Sequence, residues 1–216
     1  MRNIVIAIDG PAASGKSSVA RELARRLRMA YVNSGAMYRA VTWWMIGHGI
    51  DPNDPEAVVA NAPRIRMETG LENGVSTIRI DGEDPSESLC DEPVNENVSA
   101  IARIPEIRRM LVEKQRVYGE HCDLVMEGRD IGSVVFPDTP YKFYIDASPD
   151  VRARRRALQG QRDAITARDR ADTSRRTSPL TIAEDAWVID SSTLTIDGVV
   201  GEIIGRLKLK GLKPPE

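Results

Sequence analysis

The sequence predicts an α/β fold of three layers, with a central parallel β-sheet flanked by helices. Three apolar runs of strand length indicate this class: residues 3–9 (NIVIAID), 123–127 and 141–146. A glycine-rich loop ends the first run, and longer amphipathic segments separate the runs, as helices separate the strands of a parallel sheet. A length of 216 residues fits one domain of this kind, so we treat residues 1–216 as a unit.

The first half of the chain predicts two helices, a hairpin and a further helical stretch. Apolar residues from Val19 to Leu27 recur at helical spacing, and residues 34–47 repeat the pattern. In residues 64–80 two alternating segments flank Asn73-Gly74, which is typical of a β-hairpin turn and suggests an insertion into the core. Residues 95–119 are helical by period, with Pro105 near the start of a new helix.

The second half predicts strands at 123–127 and 141–146, then a charged segment, a strand and a helix. Residues 149–172 are rich in arginine, so we expect them to be exposed and mobile. Residues 186–190 predict the last strand and residues 194–209 the last helix, which three glycines weaken by up to about 1 kcal/mol each.

Composition excludes several classes of protein. A formal net charge of -2 argues against nucleic acid or an anionic membrane as the main partner. The two cysteines, Cys90 and Cys122, are too few for a disulfide framework, and no Cys/His spacing matches a zinc site. The apolar run at the amino terminus is too short for a signal peptide or a membrane span. We therefore expect a cytoplasmic protein.

The strongest motif lies between the first strand and the first helix. It matches G-x-x-x-x-G-K-[ST] in full, and it predicts a P-loop NTPase fold whose ATP phosphates contact Gly10, Pro11, Ala12, Ala13, Ser14, Gly15, Lys16, Ser17 and Ser18. In such a loop the backbone N–H groups turn toward the phosphates, beside the positive end of the helix dipole. Lys16 is expected to reach the β and γ oxygens, and the Ser17 hydroxyl to bind Mg²⁺.

A phosphate loop by itself leaves several functions open. Guanine recognition usually needs an N-K-x-D segment, and no Asn here is followed by Lys, so a small-molecule kinase is favoured. A kinase of another metabolite or nucleotide is one alternative. An ATP-binding switch whose output is a partner interaction is another, from a different class.

Further motifs along nearly the whole chain resemble the bacterial cytidylate kinases. They are IDGPAASGKSS, NSGAMYR, EGRDIGSVVFPD, RDRADTSRRTSPL and AEDAWVIDSS. The resemblance implies a nucleoside monophosphate kinase with a parallel-sheet core and two further regions. One is an acceptor-binding region at residues 34–108, with the hairpin insertion at about 63–82. The other is a helical lid at residues 150–178.

The resemblance also implies a site for CMP. The CMP-binding positions are Ser34, Arg39, Ser99, Arg108, Arg129 and Asp130, with Arg168, Asp172 and Arg175 from the lid. Lys16, Arg129 and Arg175 are the candidate catalytic residues. ATP with Mg²⁺ is the implied donor, CMP and dCMP are the acceptors, UMP is a weaker one, and the protein is expected to be a monomer.

The residue types suit cytosine. A carboxylate such as Asp130 can accept from the 4-amino group, while Arg108 and Ser99 can serve N3 and O2. Uracil would turn an acceptor toward that carboxylate and leave buried groups unpaired. Arg39, Arg129 and Arg175 could hold the acceptor phosphate in line with the γ-phosphoryl group.

Some of these residues have other interpretations. Arg168, Asp172 and Arg175 share one helical face and could form a solvated ion-pair ladder. Asp130 could instead bind Mg²⁺ at a strand end. The arginines at 152 and 154–156 could form a nucleic-acid patch, but aromatic residues to stack bases are absent, so contacts near ATP are favoured.

The sequence departs from the family pattern twice. Asn33 stands where the pattern has Asp, and residues 158–167 are short for the lid.

Overall fold

A computed structural model of the chain describes residues 3–158 and 180–212. Its strands are β1 (Val5–Asp9), β2 (Ala30–Asn33), β3 (Met67–Glu72), β4 (Val75–Ile80), β5 (Leu124–Gly128), β6 (Tyr141–Asp146) and β7 (Trp187–Asp190). Its α-helices are α1 (Lys16–Leu27), α2 (Ser34–Gly47), α3 (Pro55–Asn61), α4 (Glu92–Ile101), α5 (Pro105–His121), α6 (Pro149–Leu158) and α7 (Ile196–Leu209). A 3₁₀ turn spans Ala62–Arg64, and a π-helical turn spans Ile131–Val135.

One sheet runs through the whole fold in the order β3-β4-β2-β5-β1-β6-β7. Every described neighbouring pair is parallel except β3 and β4. β1 lies next to the central strand β5, and its Ala7 pairs with Met126 of β5 on one side and with Lys142 of β6 on the other. The predicted α/β class is confirmed, and the carboxyl ends of β1 and β5 meet at one edge, where such sheets bind ligands.

Alternating side chains of β1 pack into two hydrophobic cores, one on each face of the sheet. Ile6 and Ile8 pack on one face of the sheet with residues of α1 and α7. Val5 and Ala7 pack on the opposite face with α5 and with the π-helical turn. This period of two is what a strand buried on both faces requires.

The hairpin forms around Asn73-Gly74, as the sequence predicts. β3 and β4 pair in antiparallel register, with Glu72 opposite Val75. β4 then joins β2 through the pairing of Tyr31 with Val75, so the hairpin extends the central sheet. A third apolar cluster packs α2 and α4 against the hairpin, with Trp44, Ile80 and Ile101 at its centre.

The predicted exposure of residues 149–172 holds for six of the ten residues of α6 but is wrong for Arg152 and Arg156. Arg152 and Arg156 of α6 are only 8% and 7% exposed, because this helix packs against the phosphate loop. Residues 159–179 lie outside the described part, and with them Arg168, Asp172 and Arg175. In the ranges 3–158 and 180–212, no helix has the length and apolar character that crossing a lipid bilayer demands.

Candidate functional site

A cleft of about 530 Å³ opens at the carboxyl ends of β1 and β5. The phosphate loop and the start of α1 form one wall, and α2, α4 and α5 contribute to the other. The described residues predicted for the site that line this cleft are Ala12, Ala13, Gly15, Lys16, Ser17, Ser18, Ser34, Arg39, Ser99, Arg108, Arg129 and Asp130. Residues from five segments of the sequence therefore reach one cavity.

The phosphate loop has the geometry of an anion site. Gly10 has φ +154°, and a Cβ atom there would lie 2.1 Å from the carbonyl oxygen of Ile145, so only glycine fits. No described side chain caps the first amides of α1, and its first turn has no acidic residue. In contrast, Asn33, Asp54 and Thr195 cap α2, α3 and α7, and the helices α4 and α5, which no described side chain caps, carry Glu92 and Glu106 in their first turns. Uncapped amides at the positive end of a helix dipole are available to a phosphate.

Lys16 begins α1 and is 7% exposed. Its Nζ atom donates to the carbonyl oxygen of Pro11 at 3.1 Å, so the side chain folds back over the loop. The ammonium group therefore lies beside the amides that face the cleft, where a bound polyphosphate would meet both.

Carbonyl groups of the loop are held from behind by α6 and by the residue after β7. Arg152 donates to the carbonyl oxygen of Ala12 at 3.3 Å, and Arg155 donates to that of Ser14 at 3.2 Å. The Ser191 hydroxyl also donates to Ser14, at 2.7 Å. With these carbonyls directed outward, the amide groups remain directed toward the cleft. The sequence hinted at this only through the arginine cluster, which left open which arginines contact the loop.

The cleft wall to which α2, α4 and α5 contribute contains a buried ion pair. Arg108 of α5 is 3% exposed and donates to the Oδ2 atom of Asp130, which is 5% exposed. The same guanidinium group donates to the carbonyl oxygen of Ala102 at 3.1 Å, and its Nε atom has no hydrogen-bond partner among the described residues. Burying an ion pair with an unused donor costs free energy unless a ligand or a solvent molecule accepts a hydrogen bond from that donor. Ser99 of α4 lines the cleft beside this pair.

Arg39 is held in place by a residue that the sequence did not reveal. Asn95, at 9% exposure, accepts from the Nη1 atom of Arg39 at 2.6 Å, and the carbonyl oxygen of Leu89 accepts from the same atom at 2.8 Å. Asn95 also donates to the carbonyl oxygen of Cys90. The amide therefore connects α4 to α2 and orients a cleft arginine.

The departure at Asn33 leaves the local structure intact. The Asn33 side chain caps α2 by accepting from the amide of Ala36 at 3.2 Å, which an Asp side chain would also do. The Ser34 hydroxyl donates to the carbonyl oxygen of Glu127 at 2.7 Å and ties α2 to β5.

Glu127 is a cleft carboxylate that the sequence reading missed. Glu127 lies in β5, next to the strand that leads into the phosphate loop. It is 3% exposed, and its carboxylate accepts from the Tyr31 hydroxyl at 3.1 Å. Burial raises the pKa of Tyr31, and the nearby Glu127 carboxylate raises it further, so the phenol stays a donor. An apolar run that ends in an acid beside the P-loop strand is the signal that could have identified it.

The remaining predicted residues lie elsewhere. Gly10, Pro11 and Ser14 belong to the loop but not to the cleft wall, and the Ser14 hydroxyl is fully buried. Arg168, Asp172 and Arg175 lie outside the described residues. The cleft wall also includes Arg21, which was not predicted as a site residue, and Arg156, one of the arginines expected near ATP.

Comparison with known proteins agrees with this geometry. The chain is 40% identical to a cytidylate kinase of Streptomyces avermitilis over 206 residues, which are 91% of this chain and 89% of that protein. It is 38% identical to a cytidylate kinase of Clostridioides difficile over 220 residues, 97% of this chain and 100% of that one.

Comparison with solved structures concerns only the fold of this chain. The tunicamycin resistance protein of Deinococcus radiodurans superposes with a TM-score of 0.50 at 18% identity, covering 99% of this chain and 100% of that one.

The family model described as cytidylate kinase matches residues 6–209, which include the phosphate loop, the Arg108–Asp130 pair and the last helix. This chain therefore belongs to the cytidylate kinase family.

Proposed function

We propose that this chain transfers the γ-phosphoryl group of ATP to CMP, giving CDP and ADP, with dCMP as a second acceptor and UMP as a weaker one. One observation carries the choice of acceptor. The buried Arg108–Asp130 pair lies in the wall of the same cleft as the uncapped start of α1. A phosphate-binding loop and a charged, buried base pocket thus face one cavity.

The donor half of the reaction belongs to the phosphate loop. Backbone amides at the start of α1 and the Lys16 ammonium group offer positive partial and full charge to the β and γ oxygens. These groups are held in place by the contacts of α6 and Ser191 to the loop carbonyls, so little reorganisation is needed when charge shifts.

Mg²⁺ fits the oxygen atoms present. The Ser17 hydroxyl and the Glu127 carboxylate both line the cleft, and Mg²⁺ bound with substrate phosphates takes few protein ligands. In the ranges 3–158 and 180–212, no group of three or more His, Cys, Asp or Glu side chains could form a protein-only metal cage. When bound, the ion would neutralise phosphate charge.

The acceptor half depends on complementary hydrogen bonding. Asp130 has an oxygen beyond the one that Arg108 occupies, and it can accept from the 4-amino group of cytosine. The guanidinium group of Arg108 and the hydroxyl of Ser99 both belong to residues that line the cleft, and they suit the acceptors N3 and O2. Uracil would face Asp130 with an acceptor and leave the second carboxylate oxygen without a donor in a buried place.

Cleft arginines are suited to hold the acceptor phosphate. Arg39 and Arg129 line the cleft from α2 and from the end of β5, and Arg156 of α6 lines it from the side of the phosphate loop. Positioning and charge neutralisation are the main demands of phosphoryl transfer, and no covalent nucleophile is required. Within the proposal, Arg175 adds a further cation from the lid.

We also infer a cytoplasmic monomer. Both cysteines are free thiols, Cys90 exposed and Cys122 partly buried, as a reducing compartment maintains them.

A coupled assay of ADP formation with a panel of monophosphates tests the proposal. CMP and dCMP should stimulate ADP formation most, UMP less, and purine monophosphates least. ADP formation that is independent of every acceptor would instead support the ATP-binding switch. A preference for another acceptor would support a kinase of a different metabolite.

A further inference from the structure

Asp9 is a buried carboxylate that the proposed reaction does not use. It ends β1, directly before Gly10 of the phosphate loop, and is 6% exposed. The strand's period of two directs it to the same face as Val5 and Ala7. That face packs against Ile131 and Val135 of the π-helical turn.

The Asp9 carboxylate binds the first two amides of this turn. Its Oδ1 atom accepts from the amide of Ile131 and its Oδ2 atom accepts from the amide of Gly132, both at 2.8 Å. Gly132 lies against this contact, since a Cβ atom there would be 3.4 Å from Oδ2 and 3.1 Å from the methylenes of Lys142. One side chain thus satisfies two donors that a buried turn would otherwise leave unpaired.

Those two amides immediately follow Arg129 and Asp130. Asp130 occupies the position from which a side chain normally caps such a turn, yet its carboxylate makes no capping hydrogen bond there. It pairs with Arg108 instead. The capping is supplied by Asp9, which lies 122 residues away in the sequence from Ile131.

We propose that Asp9 is a positioning residue, which caps the turn in place of Asp130 and thereby leaves the Asp130 carboxylate for the acceptor base. Asp9 also joins the two halves of the site, because the strand that it ends leads into the phosphate loop. The inference rests on the proposed function, since it assigns Asp130 to the acceptor.

Asp9→Asn is the direct test, because the change is nearly isosteric. The amide keeps one accepting oxygen but turns an NH₂ group toward the other backbone N–H, which places two donors face to face. We expect the dissociation constant for CMP to rise about tenfold or more, while that for a non-hydrolysable ATP analogue changes less than about twofold. Isothermal titration calorimetry with each ligand alone measures both constants.

A second readout separates positioning from a loss of structure. If Asp130 is displaced, the ratio of kcat/KM for CMP to that for UMP should fall in Asp9→Asn. Leu207→Ala, in the core between α1 and α7, should lower the melting temperature and leave this ratio unchanged.

Asp185→Asn is the matched control for the chemical change. Asp185 contacts Lys142, whose methylenes lie beside Gly132, but none of its described hydrogen bonds goes to the turn. Both ligand affinities should stay at the wild-type value. If Asp9→Asn does not fold, Asp9→Ser tests the same contact, because its shorter side chain reaches at most one of the two amides, and it should weaken CMP binding several-fold.

Equal losses of affinity for CMP and the ATP analogue, or no loss for either, would overturn the positioning role. An unchanged CMP/UMP ratio in a folded Asp9 variant would do the same. Wild-type protein that failed to bind CMP would instead overturn the proposed function itself, and that measurement is made before any variant is tested.

Discussion

The hydroxyl group of Ser191 donates to the carbonyl oxygen of Ser14 at 2.7 Å, and so joins the residue after β7 to the phosphate loop. Arg155 strengthens this connection, because its guanidinium group donates to Ser14 and to Ser191. Two hydrogen-bonding partners, themselves bonded to each other, therefore maintain the conformation of one loop peptide.

Arg155→Ala should weaken ATP use with little effect on CMP. Loss of its hydrogen bonds at a net value of about 1 kcal/mol each predicts a rise of about fivefold or more in KM for ATP. Arg154→Ala is the matched control, because Arg154 lies on the same helix but is exposed. Steady-state kinetics at saturating CMP measures the effect, and an equal rise in both variants would contradict the role of Arg155.

Asp130→Asn should remove the preference for CMP over UMP. The variant keeps one accepting oxygen, which Arg108 requires, and turns an NH₂ donor toward the 4-amino group, so we expect kcat/KM for CMP to fall about a hundredfold while that for UMP falls much less. Asp130→Ala should in addition lower stability by about 3 kcal/mol, because Arg108 is left as an unpaired buried charge. Asp138→Asn, at an exposed site, serves as the control. A retained preference would exclude Asp130 from base recognition.

Lys16→Met should abolish transfer and leave CMP binding intact. The ammonium group is expected to act mainly on charge that develops between the β and γ phosphates, so kcat should fall about a thousandfold. Single-turnover measurements with radiolabelled ATP report this step directly. A variant with near-normal kcat would exclude Lys16 from the chemical step.

Glu127→Gln should raise the Mg²⁺ concentration that the enzyme needs. Loss of the carboxylate predicts an increase of about tenfold or more in the half-maximal Mg²⁺ concentration. Tyr31→Phe keeps the carboxylate and removes only the 3.1 Å hydrogen bond to it, so its effect should be smaller. Titration of activity with Mg²⁺ at fixed ATP makes the comparison. An unchanged Mg²⁺ requirement in Glu127→Gln would remove Glu127 from the metal site.

Asp9 should make the stability of the fold depend on pH. Burial raises the pKa of Asp9 from its ordinary value of 3.8 to about 7, against the lowering effect of its amide donors Gly132 and Ile131. Nearby Asp130 raises the pKa further, whereas Arg129 lowers it.

The folded state holds this proton more tightly than the unfolded state does, so protonation of Asp9 adds to the free energy of unfolding. This contribution is complete below pH 4. It is lost as the pH rises to about 7, at a rate of up to about 1.4 kcal/mol per pH unit. Urea denaturation of wild type and Asp9→Asn between pH 4 and pH 8 measures the difference. Parallel curves for the two proteins would contradict the raised pKa.

The sequence was most informative where local physics decides the structure. The alternation around Asn73-Gly74 predicted the hairpin, and the helical period predicted α2 at residues 34–47, where it is found. The spacing of the glycines, Lys16 and Ser17 predicted the phosphate loop between β1 and α1. These features depend on residues close together in the chain, so turn propensity and periodicity are sufficient to reveal them.

Only the tertiary structure decided which distant residues support the site. Arg152 and Arg155 contact the loop from about 140 positions away, so one side of α6 packs against the loop while most of its residues are exposed, as predicted. Asp9 of β1 accepts from the amide of Gly132, close to Asp130, and Asn95 of α4 accepts from the guanidinium group of Arg39. The number and polarity of their neighbours depend on how β1, β5 and the helices meet, and no short stretch of sequence encodes that arrangement.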